Sequence, residues 1–420
     1  MRVLQLASVD GAGGAGRAAY RLQVALEDAG VDSRMWVDVK TSANPRVISP
    51  DSFLTNSKRA ARIAVEQVPT VLAGQRGRAL ASTARFGGLQ ARRVNASDAD
   101  IVDMHWTGFG YLTIEEIGKI TKPMVWTMHD MWAFLGADHY ELDGPDARWR
   151  TGYLKTNRPA GAPGRDLDRW AWERKRKSWV TPHQLVAPSE WLARCASESA
   201  LLNAWPIAVI PNPLDLAAYR PVDRAQAREL LGLPQGVPLI LFGVVSGITD
   251  DRKGWDLLKS ALPRITEALP EAQVVILGHD EPAGGLGPNF PKAHWLGQLN
   301  DDLTLALAYS AVDVTVVPSR QDNLPQSGTE PQACGCPVVA FNTGGLPDVV
   351  ADGETGFLAT AFDSRNLAAR IIEIAGNPEL RGQMSAAARA RAERLWAEPV
   401  VAEQYRNLYA EVLDRQRSLG

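Results

Sequence analysis

The sequence predicts an α/β protein of two domains, each a parallel sheet flanked by helices. Three observations predict it. Short apolar runs alternate with helical patterns along the whole chain, the signature of parallel α/β layering. At 420 residues the chain is long enough for two domains that each bury a core. The turn-rich segment Ile210-Pro211-Asn212-Pro213-Leu214-Asp215 separates two series of strand patterns and reads as a hinge between two Rossmann-like units. A small-molecule cleft then belongs between the domains.

The first series places strands at 3–7, 33–37, 101–104, 124–127, 184–187 and 207–210. The second places them at 239–243, 273–277, 294–296, 314–317 and 338–341. An Ala- and Arg-rich helix is expected over 384–397, and a last helix over about 400–419. In that last helix Val401, Tyr405, Leu408, Tyr409, Val412 and Leu413 recur at three- and four-residue spacing, so one face is buried.

Composition narrows the function classes. Hydrophobic residues make up 45% and charged residues 22%, ordinary for a globular protein in water. A net charge of -3 gives no global case for a nucleic-acid partner. The three cysteines, Cys195, Cys334 and Cys336, do not form a disulfide framework and fit a reducing compartment. Cys334 and Cys336 flank a glycine and read as small buried side chains. No run of 18 apolar residues occurs, and Met1 to Ser8 is too short and polar for a signal peptide. A cytoplasmic location is expected.

The most informative stretch runs from Pro318 to Glu330. Two acids, Asp322 and Glu330, stand eight positions apart with turn formers between them. An apolar run precedes them, and Cys334-Gly335-Cys336-Pro337-Val338-Val339 follows. The pattern reads as strand, loop, helix, tight turn and second strand. A helix starting near Ser327 would offer its backbone N–H groups to an anion, with Glu330 in its first turn. Asp322 falls in the loop beyond the strand's carboxyl end, where open α/β sheets bind ligands. Carboxylates there accept hydrogen bonds from sugar hydroxyls.

Three further segments carry candidate residues. After the first strand, Asp10-Gly11-Ala12-Gly13-Gly14-Ala15-Gly16-Arg17 leads into a helix expected from about Ala18, and its glycines let backbone approach a ligand. Glycines 11, 13 and 16 also fit a dinucleotide fingerprint, which keeps a dehydrogenase as a rival. Arg252-Lys253-Gly254 follows the strand at 239–243. His129-Asp130 follows the strand at 124–127.

Together these motifs resemble the retaining glycosyltransferases of family 4, which have the GT-B fold. The resemblance covers nearly the whole length and is strongest between Gly236 and Gly356. It implies two Rossmann-like domains facing each other across a cleft, with the C-terminal helix crossing back to the first. It implies an acceptor-binding domain over 1–212, a donor-binding domain over 213–395, and a terminal helix over 396–420.

The resemblance also assigns roles. Glu330 matches the acid that holds the nucleotide ribose. Asp322 stands where the family usually has Glu beside the donor sugar, and is one methylene shorter. Lys253 matches the cation that meets the departing diphosphate, where a preplaced charge stabilises the transition state. The family's Arg directly after the strand's glycine is replaced by Val244, and Arg252 is its substitute. His129 matches the histidine aimed at the donor sugar, with Asp130 bracing the loop. Gly13, Gly14 and Gly16, with Asn323 and Leu324, fall at donor-contacting positions. Arg17 is a candidate for acceptor or phosphate. Asn342-Thr343-Gly344-Gly345-Leu346-Pro347-Asp348 resembles the family's Gly-Gly turn near the donor, and residues 295–298 occupy the base-reading region.

No metal or other cofactor is expected, because Lys253 supplies the electrostatic role. Asp98-Ala99-Asp100 reads as a surface turn, and His105 as structural. Eight Lys or Arg residues against one acid lie between Asn56 and Arg93. Between Arg148 and Trp179 ten cations interleave with Trp149, Trp170, Trp172 and Trp179. This surface suits an anionic membrane, a pyrophosphate-linked acceptor, or merely a solvated helix with Trp in the core. The resulting expectation is metal-independent, front-face transfer of a sugar from a nucleotide-sugar to a glycan or lipid-linked glycan, in polysaccharide assembly at the inner face of the membrane. A nucleotide-sugar epimerase and a non-catalytic sugar-nucleotide-binding subunit remain open alternatives.

Overall fold

A computed structural model describes residues 1–49, 53–74, 81–108, 110–243, 250–282, 285–287 and 290–419. Val244, the position of the family's missing Arg, and residues 75–80 of the first basic stretch lie outside these. The chain divides into two compact units: Met1–Asn212 with Val401–Gly420, and Pro213–Val400.

The first unit is a seven-stranded sheet with β1 (Arg2–Val9), β2 (Asp32–Val39), β3 (Val47–Ile48), β4 (Ile101–Met104), β5 (Met124–Thr127), β6 (Gln184–Ala187) and β7 (Ile207–Val209). Its order is β3-β2-β1-β4-β5-β6-β7, with every pairing parallel. Every residue of β4, β5 and β6 is buried, which is why these strands read as unbroken runs rather than alternating ones.

The second unit is a six-stranded parallel sheet with β8 (Leu239–Gly243), β9 (Gln273–Leu277), β10 (Ala293–Trp295), β11 (Val314–Val317), β12 (Val338–Phe341) and β13 (Gly356–Ala359). Its order is β10-β9-β8-β11-β12-β13. The strand order therefore reverses direction once in each sheet, between β1 and β4 in the first and between β8 and β11 in the second. Such switch points open a crevice beyond the carboxyl ends of the strands.

The terminal helix Glu398–Leu419 belongs to the first unit from Val401 onward. Val401, Tyr405 and Tyr409 share a core with Val3, Leu22, Ile101, Val125 and Val186, closing one face of the first sheet.

Several expectations need correction. The N-terminal helix spans Gly13–Asp28, five residues earlier than expected, so the glycine run is its first turn rather than a loop before it. β3 and β13 escaped the sequence reading. The tryptophans of the second basic stretch are mostly core: Trp149, Trp172 and Trp179 are buried, and only Trp170 is exposed. Lys175 is fully buried, with its ammonium donating to the carbonyls of Trp132, Leu135 and Gly136 and lying over the Trp132 ring. Arg148 is buried as well, bridged to Asp166 at 2.7 Å. Two of the ten cations in the stretch are buried and the rest reach solvent at least in part, which fits the reading of a solvated helix with Trp in the core. Asp98 and Asp100 do sit at the surface, paired with Arg2.

Candidate active site

Two constellations of sequence-predicted residues stand at the carboxyl ends of switch-point strands, one in each unit.

In the second unit, the side chain of Asp250, beyond β8, accepts from the Arg252 N–H and caps a single 3₁₀ turn, Asp251–Lys253. Gly254 ends that turn in the left-handed region, at φ 69°, and starts the helix Trp255–Ala268. A Cβ at Gly254 would stand 1.9 Å from the carbonyl oxygen of Pro318, so only glycine lets this turn press against the loop after β11. The Arg320 N–H donates to the Arg252 carbonyl at 2.8 Å and fastens the two loops together.

That contact brings both cations to Asp322. Lys253 Nζ donates to Asp322 Oδ2 at 2.6 Å, and Arg252 Nη1 lies 3.3 Å from Oδ1. Consecutive in sequence, the two cations meet one carboxylate because a 3₁₀ turn ending in glycine curls both toward one point. Ser319 Oγ donates to Oδ2 at 3.1 Å, and the Asp322 carbonyl accepts from the Gly345 N–H at 2.8 Å. The Gly-Gly turn after β12 thus holds this loop's backbone. Arg252 also pairs with Asp250 at 3.1 Å, so two cations are matched by two acids. Burial pushes the Asp322 carboxyl up, but the charges of Lys253 and Arg252 and the hydrogen bonds outweigh it and leave the group below its usual range.

Glu330 lies in the helix Gln326–Ala333, in the second turn rather than the first, because the helix begins one residue early. It is buried and accepts from the hydroxyl of Tyr309 at 3.2 Å. Asn323 and Leu324 are buried too. No sequence signal marked Tyr309, which arrives from the helix Asp302–Ala311.

In the first unit, β1 leads into the glycine turn. Asp10 accepts from the N–H groups of Thr41 at 2.5 Å and Ser42 at 2.9 Å, tying the loop after β2 to the end of β1. Gly13 and Gly14 are exposed, and a Cβ at either would meet no atom within 4 Å. Gly16 differs: a Cβ there would sit 2.8 Å from the Val9 carbonyl oxygen, so it serves helix-on-strand packing. Arg17 follows, half-buried.

His105 and His129 each come just past one of two adjacent parallel strands, β4 and β5, whose register pairs Met104 with Trp126. His105 Nδ1 and His129 Nε2 are 3.1 Å apart. Both line one pocket with Trp106, Asp130, Trp132 and His139. Burial pushes His129 down to about 3, helped by His105 and opposed by Asp130 and Asp103, so its ring is neutral at ordinary pH. Asp130 braces its loop, accepting from the Trp132 N–H at 2.9 Å and bonded to His139 at 2.6 Å. Sequence reasoning read His105 as structural; only the pairing of β4 with β5 makes it a neighbour of His129.

Among the described residues no group of three or more His, Cys, Asp or Glu side chains is placed to hold a metal ion. No helix among them is long and apolar enough to cross a membrane.

Two family models match the chain. Residues 12–218 match one described as Glycosyltransferase Family 4, and residues 224–391 match one described as Glycosyl transferases group 1. A D-inositol 3-phosphate glycosyltransferase of Segniliparus rotundus is 34% identical over 229 residues, 50% of this chain and 50% of that protein. The chain thus spans about half the length of that relative. A protein of the same name from Nocardiopsis dassonvillei is 29% identical over 331 residues, 75% of this chain and 72% of its own. Among solved structures, Anabaena HepE in complex with UDP and glucose aligns with a TM-score of 0.61 at 16% identity, covering 98% of this chain and 99% of that one. At that identity the likeness is one of fold.

Proposed function

Since the chain belongs to family 4 of the glycosyltransferases, a group with the GT-B fold, we propose that it transfers a sugar from a nucleoside diphosphate sugar to an acceptor hydroxyl with retention at the anomeric carbon. The observation that carries this reading is the convergence of Lys253 and Arg252 on Asp322 at the second switch point. An ammonium has three hydrogens, and Asp322 takes one of those of Lys253, so the carboxylate aims the cation while leaving donors for phosphate oxygens.

In the proposed step the bond from the anomeric carbon to the diphosphate oxygen breaks. The acceptor oxygen forms its bond to that carbon on the same face. The acceptor's proton passes to the departing diphosphate, so no separate base is required. Lys253 and Arg252 stabilise the charge that develops on the leaving group. Glu330 accepts from the ribose, the buried Asn323 and Leu324 present backbone rather than side chain to the donor, and Gly13 and Gly14 let backbone approach its phosphates. His129, neutral, meets a sugar hydroxyl. Lys253 and Arg252 fill the part that a divalent cation plays elsewhere.

For the acceptor, the named relatives favour a small phosphorylated polyol such as D-inositol 3-phosphate, with Arg17 as its phosphate partner. The lipid-linked glycan at a membrane surface is the second reading; the interior position of Trp149, Trp172 and Trp179 removes most of the aromatic surface on which it rested.

The test is nucleoside diphosphate release from UDP-, GDP- and ADP-sugars, with D-inositol 3-phosphate or membrane lipid extract as acceptor, with and without EDTA. Release of one nucleotide that needs the polyol, survives EDTA and collapses in Lys253→Ala and Glu330→Ala supports the reading, and the product's anomeric configuration checks retention. Release only with lipid extract moves the acceptor to the second reading. Tight nucleotide binding without turnover makes the chain a binding subunit.

A further inference from the structure

We propose that His105, backed by Asp103, positions His129 by fixing which of its ring nitrogens carries the proton. The inference rests on the reading that His129 faces the substrate, and extends it to residues that touch no ligand.

The His105 N–H donates to the Leu6 carbonyl at 2.9 Å, and the Met128 N–H donates to the Val186 carbonyl at 2.8 Å. Both histidines therefore hang from extensions of the sheet rather than from free loops. His105 is 2% exposed. Its Nε2 has no hydrogen-bond partner among the described residues, and the acid beside it is Asp103, with Oδ2 at 3.4 Å. Asp103 is itself fixed: Oδ2 accepts from the Tyr409 hydroxyl at 2.6 Å, and Oδ1 accepts from Thr127 at 3.1 Å. A second tyrosine of the terminal helix, Tyr405, meets the Thr127 hydroxyl at 3.0 Å.

For a singly protonated His105 these contacts favour one proton arrangement. A ring lone pair 3.4 Å from a carboxylate oxygen is repelled by it, so the proton belongs on Nε2 and the lone pair on Nδ1. His129 Nε2 lies 3.1 Å from that lone pair and must donate to it. Half-buried and neutral, His129 then has its lone pair on Nδ1, which can only accept. The polar group that meets Nδ1 is thus a donor, as a sugar hydroxyl is and a deprotonated phosphate oxygen is not. Asp103 and His105 are positioning residues here, and the discrimination they impose is hydroxyl over oxyanion.

The chain holds six histidines, few enough for selective ¹⁵N labelling and side-chain NMR of the full protein. In the wild type His129, assigned through its loss in His129→Gln, is expected as the neutral Nε2–H tautomer. His105→Leu, which removes the acceptor, should give His129 as a tautomer mixture, with kcat down about 10- to 100-fold and donor KM little changed. His105→Asn, whose amide oxygen accepts at the same place, should keep both tautomer and rate. A wild-type His129 protonated on Nδ1, or an unchanged His129 tautomer in His105→Leu, overturns the proposal. The wild-type spectrum decides even if the leucine variant does not fold. Failure of the underlying reading shows separately, as full turnover by His129→Ala while the tautomer result stands.

Discussion

The two constellations solve the same problem, fixing a functional side chain at a switch point, by opposite means. In the second unit charge is held by charge: Lys253 and Arg252 are steered by Asp322 and Asp250 at 2.6 to 3.3 Å. In the first unit position is held by packing and sheet hydrogen bonds, with neutral His129 3.1 Å from the buried His105. The difference teaches what each site can recognise. Ion pairs with spare donor hydrogens suit phosphate; a neutral nitrogen with one lone pair suits a hydroxyl.

The largest expected effect breaks the charged half of this comparison. Lys253→Ala should lower kcat by about 10²- to 10³-fold, the usual range for losing a preplaced charge at a developing anion, as read by nucleoside diphosphate release. Lys253→Arg tests whether geometry or charge alone matters, and a full rescue would show that charge suffices. Next comes the neutral half: His129→Ala should cost about 10- to 100-fold in the same assay.

A third test asks whether the charged site depends on its backbone. Gly254→Ala must move either the turn or the Pro318 carbonyl, since its Cβ would fall 1.9 Å away at a φ of 69°. A loss of about 2 kcal/mol or more in urea unfolding is expected, with a rise in the KM for donor.

The fourth concerns pH. His129 has a folded pKa near 3 against an ordinary 6.5, so between these values the unfolded chain binds the extra proton. Stability should therefore fall as pH drops from about 6.5 toward 3, by at most about 1.4 kcal/mol per unit from this group. His183, pushed to about 4 by burial, acts in the same window. His129→Gln should remove its share of the slope in unfolding curves and leave that of His183; an unchanged slope would mean His129 is not held neutral. The smallest expected effect is that of EDTA, under which the rate should not change.

How much of this was legible in the sequence differs between the halves. Eleven strands were readable as short apolar runs, five of them fully buried parallel strands such as Val338–Phe341. β3 has two residues and β13 starts with glycine, too little pattern for either to register. The Pro318 to Glu330 stretch announced itself through two acids in a turn-rich segment, but the Lys253–Asp322 bond joins residues 69 apart and needed the register of β8 against β11. The helix start was misplaced because a glycine run reads as loop, although here it forms the first helical turn. His105 was passed over since one histidine after a strand carries no signal; only the pairing of β4 with β5 makes it a neighbour of His129.

The terminal helix has a consequence for how the chain is made. Tyr405 and Tyr409 complete a core whose other members include Val3 and Leu22. Val3 and Leu22 thus lack part of their core until the whole second unit, Pro213–Val400, has been synthesised. The first unit cannot finish folding before that, and its open sheet face must be kept from other chains meanwhile. Nonsense truncations that spare every residue of both sites, but stop before Val401, should yield insoluble protein.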